Sequence, residues 1–228
     1  MTLALVPLLL GQAPTFEQLE QMKQDAINKL TGFKGTYVMV SIPQEGAGMR
    51  QEVTLTISPD GRRTKLYTEG LDVAESAYNK KRKWTAYLLD KAYEMDEPEG
   101  GIELPPNAPK LTPAAGEMSL TLDDLGPRFA TNPSPTVTAA TEDTVDGKKL
   151  TRYDAKTISP TQKSQVQITQ WFEPKTFVLR QFEITKTTEG RVSRIKGYLI
   201  KDSINTKVDP SEYDLPAAYS GFKKIKPR

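Results

Sequence analysis

The hydrophobic period of the sequence changes from helical to strand-like at Gly32. Beyond it, apolar residues recur at every second position in short runs, such as Val53, Leu55 and Ile57. This alternation indicates strands with one buried face. The strands predicted in this way are 33–42, 52–58, 63–68, 75–78, 83–89, 92–96, 136–144, 148–158, 165–173, 177–186 and 191–203.

Turn residues separate these runs at hairpin spacing. Ser58-Pro59-Asp60-Gly61 and Asp146-Gly147 are typical turn sequences, because proline presets its own φ and glycine tolerates a positive φ. Short connections require antiparallel pairing of neighbouring strands. The C-terminal half is therefore predicted to be a β-meander. It is followed by one helical turn at 209–212 and a basic tail at 222–228.

One amphipathic helix precedes the strands. Thr15 and Gln18 have the spacing of a capping box, and Gly32 is a natural stop. Between them, apolar residues recur at three- and four-residue steps and form one stripe. The members of the stripe are Phe16, Leu19, Met22, Ala26, Ile27 and Leu30.

About ten antiparallel strands and one helix predict a mostly β, α+β fold. A sheet of this size curls or closes, so we expect a curled sheet or incomplete β-barrel with the helix packed in its concave face. The Pro-rich region 98–135 interrupts the pattern and is predicted to be an insertion: a loop or lid over 98–113, a short helix within 119–129 and a link at 132–135.

The composition excludes several classes of function. The chain of 228 residues has no cysteine and no histidine, so disulfides, thiol nucleophiles, imidazole bases and Cys- or His-based zinc sites are excluded. With 31 basic and 29 acidic residues, it lacks the basic excess of a dedicated nucleic-acid binder. We therefore expect no nucleic-acid partner, no metal and no cofactor.

The first thirteen residues have the character of a secretory signal. Residues 3–10 are almost wholly apolar and too short to span a bilayer, which takes about 20 residues. Gly11 and Ala13 provide small residues for a cleavage site. We expect removal of 1–13 and export of a single domain over 14–228 to the periplasm or the extracellular space. The alternative is a buried N-terminal strand or helix.

The ordered motifs resemble the outer-membrane lipoprotein carrier (LolA-like) family, which shares its fold with LolB and RseB. The resemblance covers about 34–97 and 136–216. Its motifs are the helix followed by three strands, the hairpin at 76–90 with Trp84, the hairpin at 166–183 with Trp171, and the closing segment 204–216.

The resemblance implies an incomplete β-barrel that binds acyl chains in an apolar cavity without covalent chemistry, and hence is not an enzyme. The expected partner is a lipid or an acylated protein, with transient membrane contact, and the chain is expected to be a soluble monomer. The alternative is an RseB-like regulatory or scaffold protein that binds an envelope protein through the open edge of the sheet or the segment 98–118.

Strand parity and the helical stripe give the candidate cavity-lining residues, and the alternative for each of them is a place in the ordinary core. They are Leu19, Met22, Ile27, Tyr37, Met39, Val53, Leu55, Ile57, Leu66, Trp84, Leu88, Val166, Ile168, Phe172, Phe177 and Leu179.

Overall fold

The computed structural model describes residues 13–102, 118–121, 128–159 and 163–226. Its single α-helix within these ranges, α1, spans Phe16–Asn28. The strands are β1 Phe33–Ile42, β2 Met49–Ser58, β3 Gly61–Thr68, β4 Leu71–Asn79, β5 Lys83–Tyr87, β6 Ala92–Asp96 and β7 Met118–Thr121. They continue with β8 Arg128–Thr131, β9 Thr136–Val145, β10 Lys148–Ser159, β11 Ser164–Phe172, β12 Leu179–Thr188, β13 Arg191–Ile204 and β14 Lys223–Ile225.

Twelve of these strands form one open, curled sheet in the order β14-β6-β5-β4-β3-β2-β1-β13-β12-β11-β10-β9. Neighbours are antiparallel except β14, which pairs in parallel with β6. The predicted mostly β fold, with a curled sheet and an N-terminal helix, is therefore confirmed. The count is higher than expected, because the basic tail contributes β14 and because β7 and β8 form a separate two-stranded sheet.

Local turn chemistry explains most of the element boundaries. At the cap of α1, Thr15 Oγ1 accepts a hydrogen bond from the Gln18 backbone and Gln18 Oε1 accepts one from the Thr15 backbone, as predicted. The β9–β10 turn has positive φ at both Asp146 and Gly147, which suits a type I′ hairpin. The predicted turn after Asp209 is confirmed as a 3₁₀ helix over Pro210–Tyr213.

The Pro-rich region differs from expectation where the structure describes it. The helix predicted within 119–129 is wrong at both ends, because β7 and β8 pair there as antiparallel strands. Short runs of alternating Met, Leu and Phe do not distinguish the two structures by period alone. The rest of that helix, most of the expected loop at 98–113 and nearly all of the expected signal at 1–13 lie outside the described residues.

Among the described residues, no helix has the length and apolar character that a transmembrane helix needs.

Candidate functional site: the concave face under the helix

One apolar cluster occupies the concave face of the sheet beneath α1, and we call it the main apolar cluster. Alternate residues of β1, β2, β10, β11 and β12 point into it, together with two residues of the helix. Its buried members are Phe16, Leu19, Phe33, Tyr37, Met39, Val53, Leu55, Ile57, Tyr153, Ala155, Val166, Ile168, Phe172, Val178, Leu179, Phe182 and Ile184.

The structure brings most of the candidate lining residues together in this cluster. Ten are buried members, namely Leu19, Tyr37, Met39, Val53, Leu55, Ile57, Val166, Ile168, Phe172 and Leu179, while Leu66 and Phe177 are partly buried and pack against it. Leu19, Val53 and Phe172 are inaccessible to solvent, so their side chains touch protein atoms on every side. A ligand in this cluster must therefore displace part of its cover.

Two candidates lie elsewhere. Trp84 and Leu88 belong to a second apolar cluster, which is formed with Ala77, Ala86, Val208 and Tyr213. Trp84 is fully buried, and its indole Nε1 donates a 2.8 Å hydrogen bond to the Tyr213 carbonyl. The segment after β13 thus closes this part of the sheet, and Trp84 holds that segment in place.

Only part of the predicted apolar stripe of α1 is buried against the sheet. Phe16 and Leu19 are buried, but Met22 is 36% exposed, and Lys23 and Gln24 are buried instead. Ile27 lies in α1, and its side chain is outside the described set. The side of α1 that meets the sheet is therefore partly polar.

A polar network lies between α1 and the sheet. Lys23 Nζ forms a 2.6 Å ion pair with Glu20 Oε2, and Gln170 Nε2 of β11 donates a 3.3 Å hydrogen bond to Glu20 Oε1. Gln170 and Lys23 are both almost fully buried. These contacts satisfy polar groups that would otherwise be buried at a cost of a few kcal/mol. Water can replace them when the helix moves away.

Aromatic residues close the end of the cluster near the β11–β12 turn. Phe172 and Phe177 stack with ring centroids 4.4 Å apart, and Tyr153 meets both rings edge-on. Nearby, the Tyr37 hydroxyl donates a 2.8 Å hydrogen bond to the Leu179 carbonyl. Burial raises the pKa of Tyr37 above its ordinary value, so this phenol remains a hydrogen-bond donor.

Alternation along β12 missed two members of the cluster, Phe182 and Ile184, because of one β-bulge. Opposite the Trp171–Phe172 step, Arg180 is an extra residue in β12, so the inward positions change from Leu179 to Phe182 and Ile184. The Arg180 side chain instead forms ion pairs with Glu173 and Asp202. The available signal was the polar Gln181 at the next position of the alternation after Leu179, where an apolar residue would be expected.

Tyr153 and Ala155 were missed because the larger aliphatic residues of β10, Leu150 and Ile158, occupy the other set of alternate positions and obscure the pattern. Phe16 belongs to the predicted stripe but not to the predicted lining residues, and Phe33 begins its strand, where period arguments are weakest. Val178 lies in the β11–β12 connection and has no strand period.

No family model matches the sequence, and no curated protein matches it either. Solved structures to which the chain is similar include an uncharacterized conserved protein from Thermus thermophilus, with 10% identity, 91% of this chain and 98% of that chain covered, and a TM-score of 0.49. They also include a LolA superfamily protein from Nitrosomonas europaea. The match has 9% identity, covers 89% of this chain and 99% of that chain, and has a TM-score of 0.37.

A third is the MucA/MucB complex of Pseudomonas aeruginosa, with 14% identity, 88% of this chain and 60% of that chain covered, and a TM-score of 0.46. These similarities concern the path of the backbone and assign no ligand or partner.

Proposed function

We propose that this chain is an exported carrier that binds the acyl chain of a lipid or lipoprotein between α1 and the concave face of the sheet, without covalent chemistry. The observation that supports this best is the asymmetry of the cover. The large apolar cluster is covered by one helix of 13 residues. The surface of this helix that contacts the sheet includes the charged Lys23 and faces the polar Gln170. Such a helix leaves the sheet more readily than one with a continuous apolar stripe.

The energetics suit an acyl ligand. Each buried methylene contributes about 0.8 kcal/mol, so a chain of a dozen carbons gains about 10 kcal/mol before the cost of opening the cluster. The protein side needs only apolar walls on neighbouring strands. The concave face provides them on β1, β2, β11 and β12. The candidate lining residues within the main apolar cluster are the proposed walls, and Trp84 and Leu88 are proposed to act only through the closing segment.

The proposal includes the domain organisation and the location expected from the sequence. Residues 1–13 direct export and are removed, and 14–228 form a single monomeric domain with an insertion at about 98–135. The domain works in the periplasm or outside the cell and touches membranes transiently while it loads and unloads.

Mass spectrometry of the purified protein tests this proposal. The chain is expressed with its N-terminal segment, recovered from the envelope fraction and extracted with organic solvent. We expect stoichiometric lipid or lipopeptide in the extract and saturable binding of a fluorescent fatty acid after delipidation. An extract without acyl compounds, together with no fatty-acid binding by the delipidated protein, would refute the carrier function.

A second candidate function is that of a scaffold for an envelope protein, and the edge strand β9 favours it. β9 is ten residues long, largely exposed and the last strand on its side of the described sheet. The two-residue turn makes Val145 and Lys148 the closing hydrogen-bonded pair. By alternation, the backbone groups of Glu142 and Ala140 therefore face away from β10. Such an edge can accept a strand from a partner.

The substitution Ala140→Pro distinguishes this candidate. Proline there removes an outward-facing donor and leaves the bonds to β10 intact. A stoichiometric complex from envelope extract that is lost in Ala140→Pro, retained in Ala140→Thr and free of lipid would favour the scaffold. A complex that Ala140→Pro leaves unchanged would exclude strand addition at β9.

A further inference from the structure

A cleft of about 380 Å³ opens where β12 turns into β13, and we call it the β12–β13 cleft. The residues that matter in its wall are Gln44, Glu45, Lys186, Thr188, Arg191 and Ser193. Gln44 comes from the β1–β2 connection and is fixed there, because its Oε1 accepts a 2.7 Å hydrogen bond from the Val192 backbone. This volume is at the lower end of the range typical of small-molecule sites.

The cleft is the polar continuation of the main apolar cluster. Ile184 of β12 points into the cluster and pairs with Ile168 on one side and Ile195 on the other. Two residues further along the same face of β12 comes Lys186, opposite Val166 and Ser193. The distance between successive residues on one face is about 7 Å. A molecule can therefore contact Lys186 at one end and the apolar residues at the other.

The same face continues to the hairpin tip. Thr188 pairs with Arg191 around the Glu189-Gly190 turn, so both side chains lie on the side of Lys186 and Ser193. The concave face thus changes from apolar residues to hydroxyls and cations over about four residues. This order matches an amphiphile that lies along the strand with its headgroup at the tip.

The cations of the cleft have no ion-pair partner among the residues that the structure describes. In the described part of the chain, neither Lys186 nor Arg191 forms a salt bridge, although Glu45 also lines the cleft. Within the same part, Thr188 Oγ1 is buried without a hydrogen-bond partner. Buried polar atoms are normally paired, so this hydroxyl has capacity for a ligand atom.

We propose that the β12–β13 cleft binds the anionic headgroup, phosphate or carboxylate, of the amphiphile whose acyl chain enters the main apolar cluster. This rests on the proposed carrier function and specifies its ligand class. Arg191 offers a planar fork of donors to the oxyanion, and Lys186 adds a point charge. Thr188 and Ser193 donate hydroxyl hydrogen bonds. Glu45 opposes the anion, so the selectivity comes from the two cations together.

Equilibrium dialysis with twelve-carbon probes tests the proposal. Dodecyl phosphate, dodecanoate and monododecanoylglycerol share one chain length and differ in the headgroup, and inorganic phosphate provides the headgroup alone. The test variant is Lys186→Gln/Arg191→Gln. Its matched control is Lys148→Gln/Lys149→Gln, which removes two exposed lysines from the β9–β10 tip at the opposite end of the sheet.

We expect the wild type to bind at least one anionic probe about ten-fold or more tightly than the neutral probe, with the preference shrinking as salt is added. The test variant loses that preference and keeps its affinity for monododecanoylglycerol, while the control variant behaves as wild type. Comparison of phosphate and carboxylate probes identifies the headgroup.

The experiment distinguishes failure of the headgroup site from failure of the carrier function. Equal binding of anionic and neutral probes by the wild type, or a preference that survives in the test variant, overturns the headgroup site and leaves the carrier function standing. Inorganic phosphate that binds as tightly as dodecyl phosphate overturns it in favour of a free-anion site. A wild type that binds none of the three amphiphiles refutes the carrier function itself.

Discussion

The ring of Phe182 lies over Gly197, its direct cross-strand partner in β13, and occupies the space that a side chain at residue 197 would need. A β-carbon built on Gly197 would be 2.1 Å from the ring. Phe182 is inaccessible to solvent at the centre of the concave face. The absence of a side chain at 197 therefore sets how deeply this ring seats in the main apolar cluster.

Gly197→Ala is expected to destabilise the protein by about 1–3 kcal/mol, because the ring must leave its rotamer or the strands must separate. The measurement is the free energy of unfolding in urea. Gly221→Ala is the control, since a β-carbon there meets open space. Equal stabilities of the two variants would show that the ring moves aside without cost.

Trp84→Phe is expected to destabilise the protein by about 1–3 kcal/mol, because it leaves the buried Tyr213 carbonyl without its indole donor. Urea unfolding measures the loss, and limited proteolysis should cut the closing segment after β13 sooner. Trp171→Phe is the matched control. Trp171 donates to the Asp143 carboxylate, which is partly exposed and can accept from water instead. A larger loss from Trp171→Phe would contradict the assigned role of Trp84.

Stability is expected to fall above about pH 10. Burial raises the pKa of Tyr37 above its ordinary value, so the unfolded chain releases this proton first, at about pH 10. The stabilisation is present below that pH and is lost as pH rises towards the folded pKa. Tyr37→Phe should be about 1 kcal/mol less stable at pH 7 and should fall less steeply between pH 10 and 12.

Burial also raises the pKa values of Tyr153, Tyr213 and Tyr219, so Tyr37→Phe reduces the alkaline slope without abolishing it. Urea unfolding at each pH gives the free energies. Parallel pH profiles for wild type and Tyr37→Phe would contradict the contribution assigned to Tyr37.

Tethering α1 to the sheet is expected to block acyl-chain uptake. The chain has no cysteine, so Glu20→Cys/Gln170→Cys can be joined by a short bis-maleimide at a helix–sheet contact. The control, Gln21→Cys/Asp25→Cys, places the same linker between two exposed positions of the helix, whose side chains contact each other. Fluorescent fatty-acid uptake before and after cross-linking is the measurement. Uptake that persists in the tethered protein would place the entrance elsewhere.

The cap of α1 could be predicted from the sequence, because it depends on residues three positions apart. The inward face of the helix could not. Lys23 is buried because Glu20 pairs with it and Gln170, 150 residues away, holds Glu20. Met22 is consequently turned outward. A hydrophobicity pattern contains no information about such a distant partner.

In the candidate site too, some residues could be predicted from the sequence and others could not. Regular alternation placed Val53, Leu55 and Ile57 correctly, since one face of β2 is buried along most of its length. It failed at Phe182, where one extra residue in β12 reverses the parity. It also placed Trp84 with the cavity residues, although Trp84 shares its face of the sheet with Ala77, Arg63 and Thr56, opposite to Val53, Leu55 and Ile57. Alternation within one strand does not give the face that a neighbouring strand presents.

The pairing of β1 with β13 determines when the molecule can fold. Phe33 pairs with Ile204, roughly 170 positions later in the sequence, and this contact joins the two halves of the sheet. Contacts between such distant residues are slow to form, because a long loop must close first. Each half can make its own hairpins early, but β1 lacks one neighbour until β13 has been synthesised. A nascent chain of this protein thus keeps an unpaired β1 edge, and stays incompletely folded, for most of its synthesis.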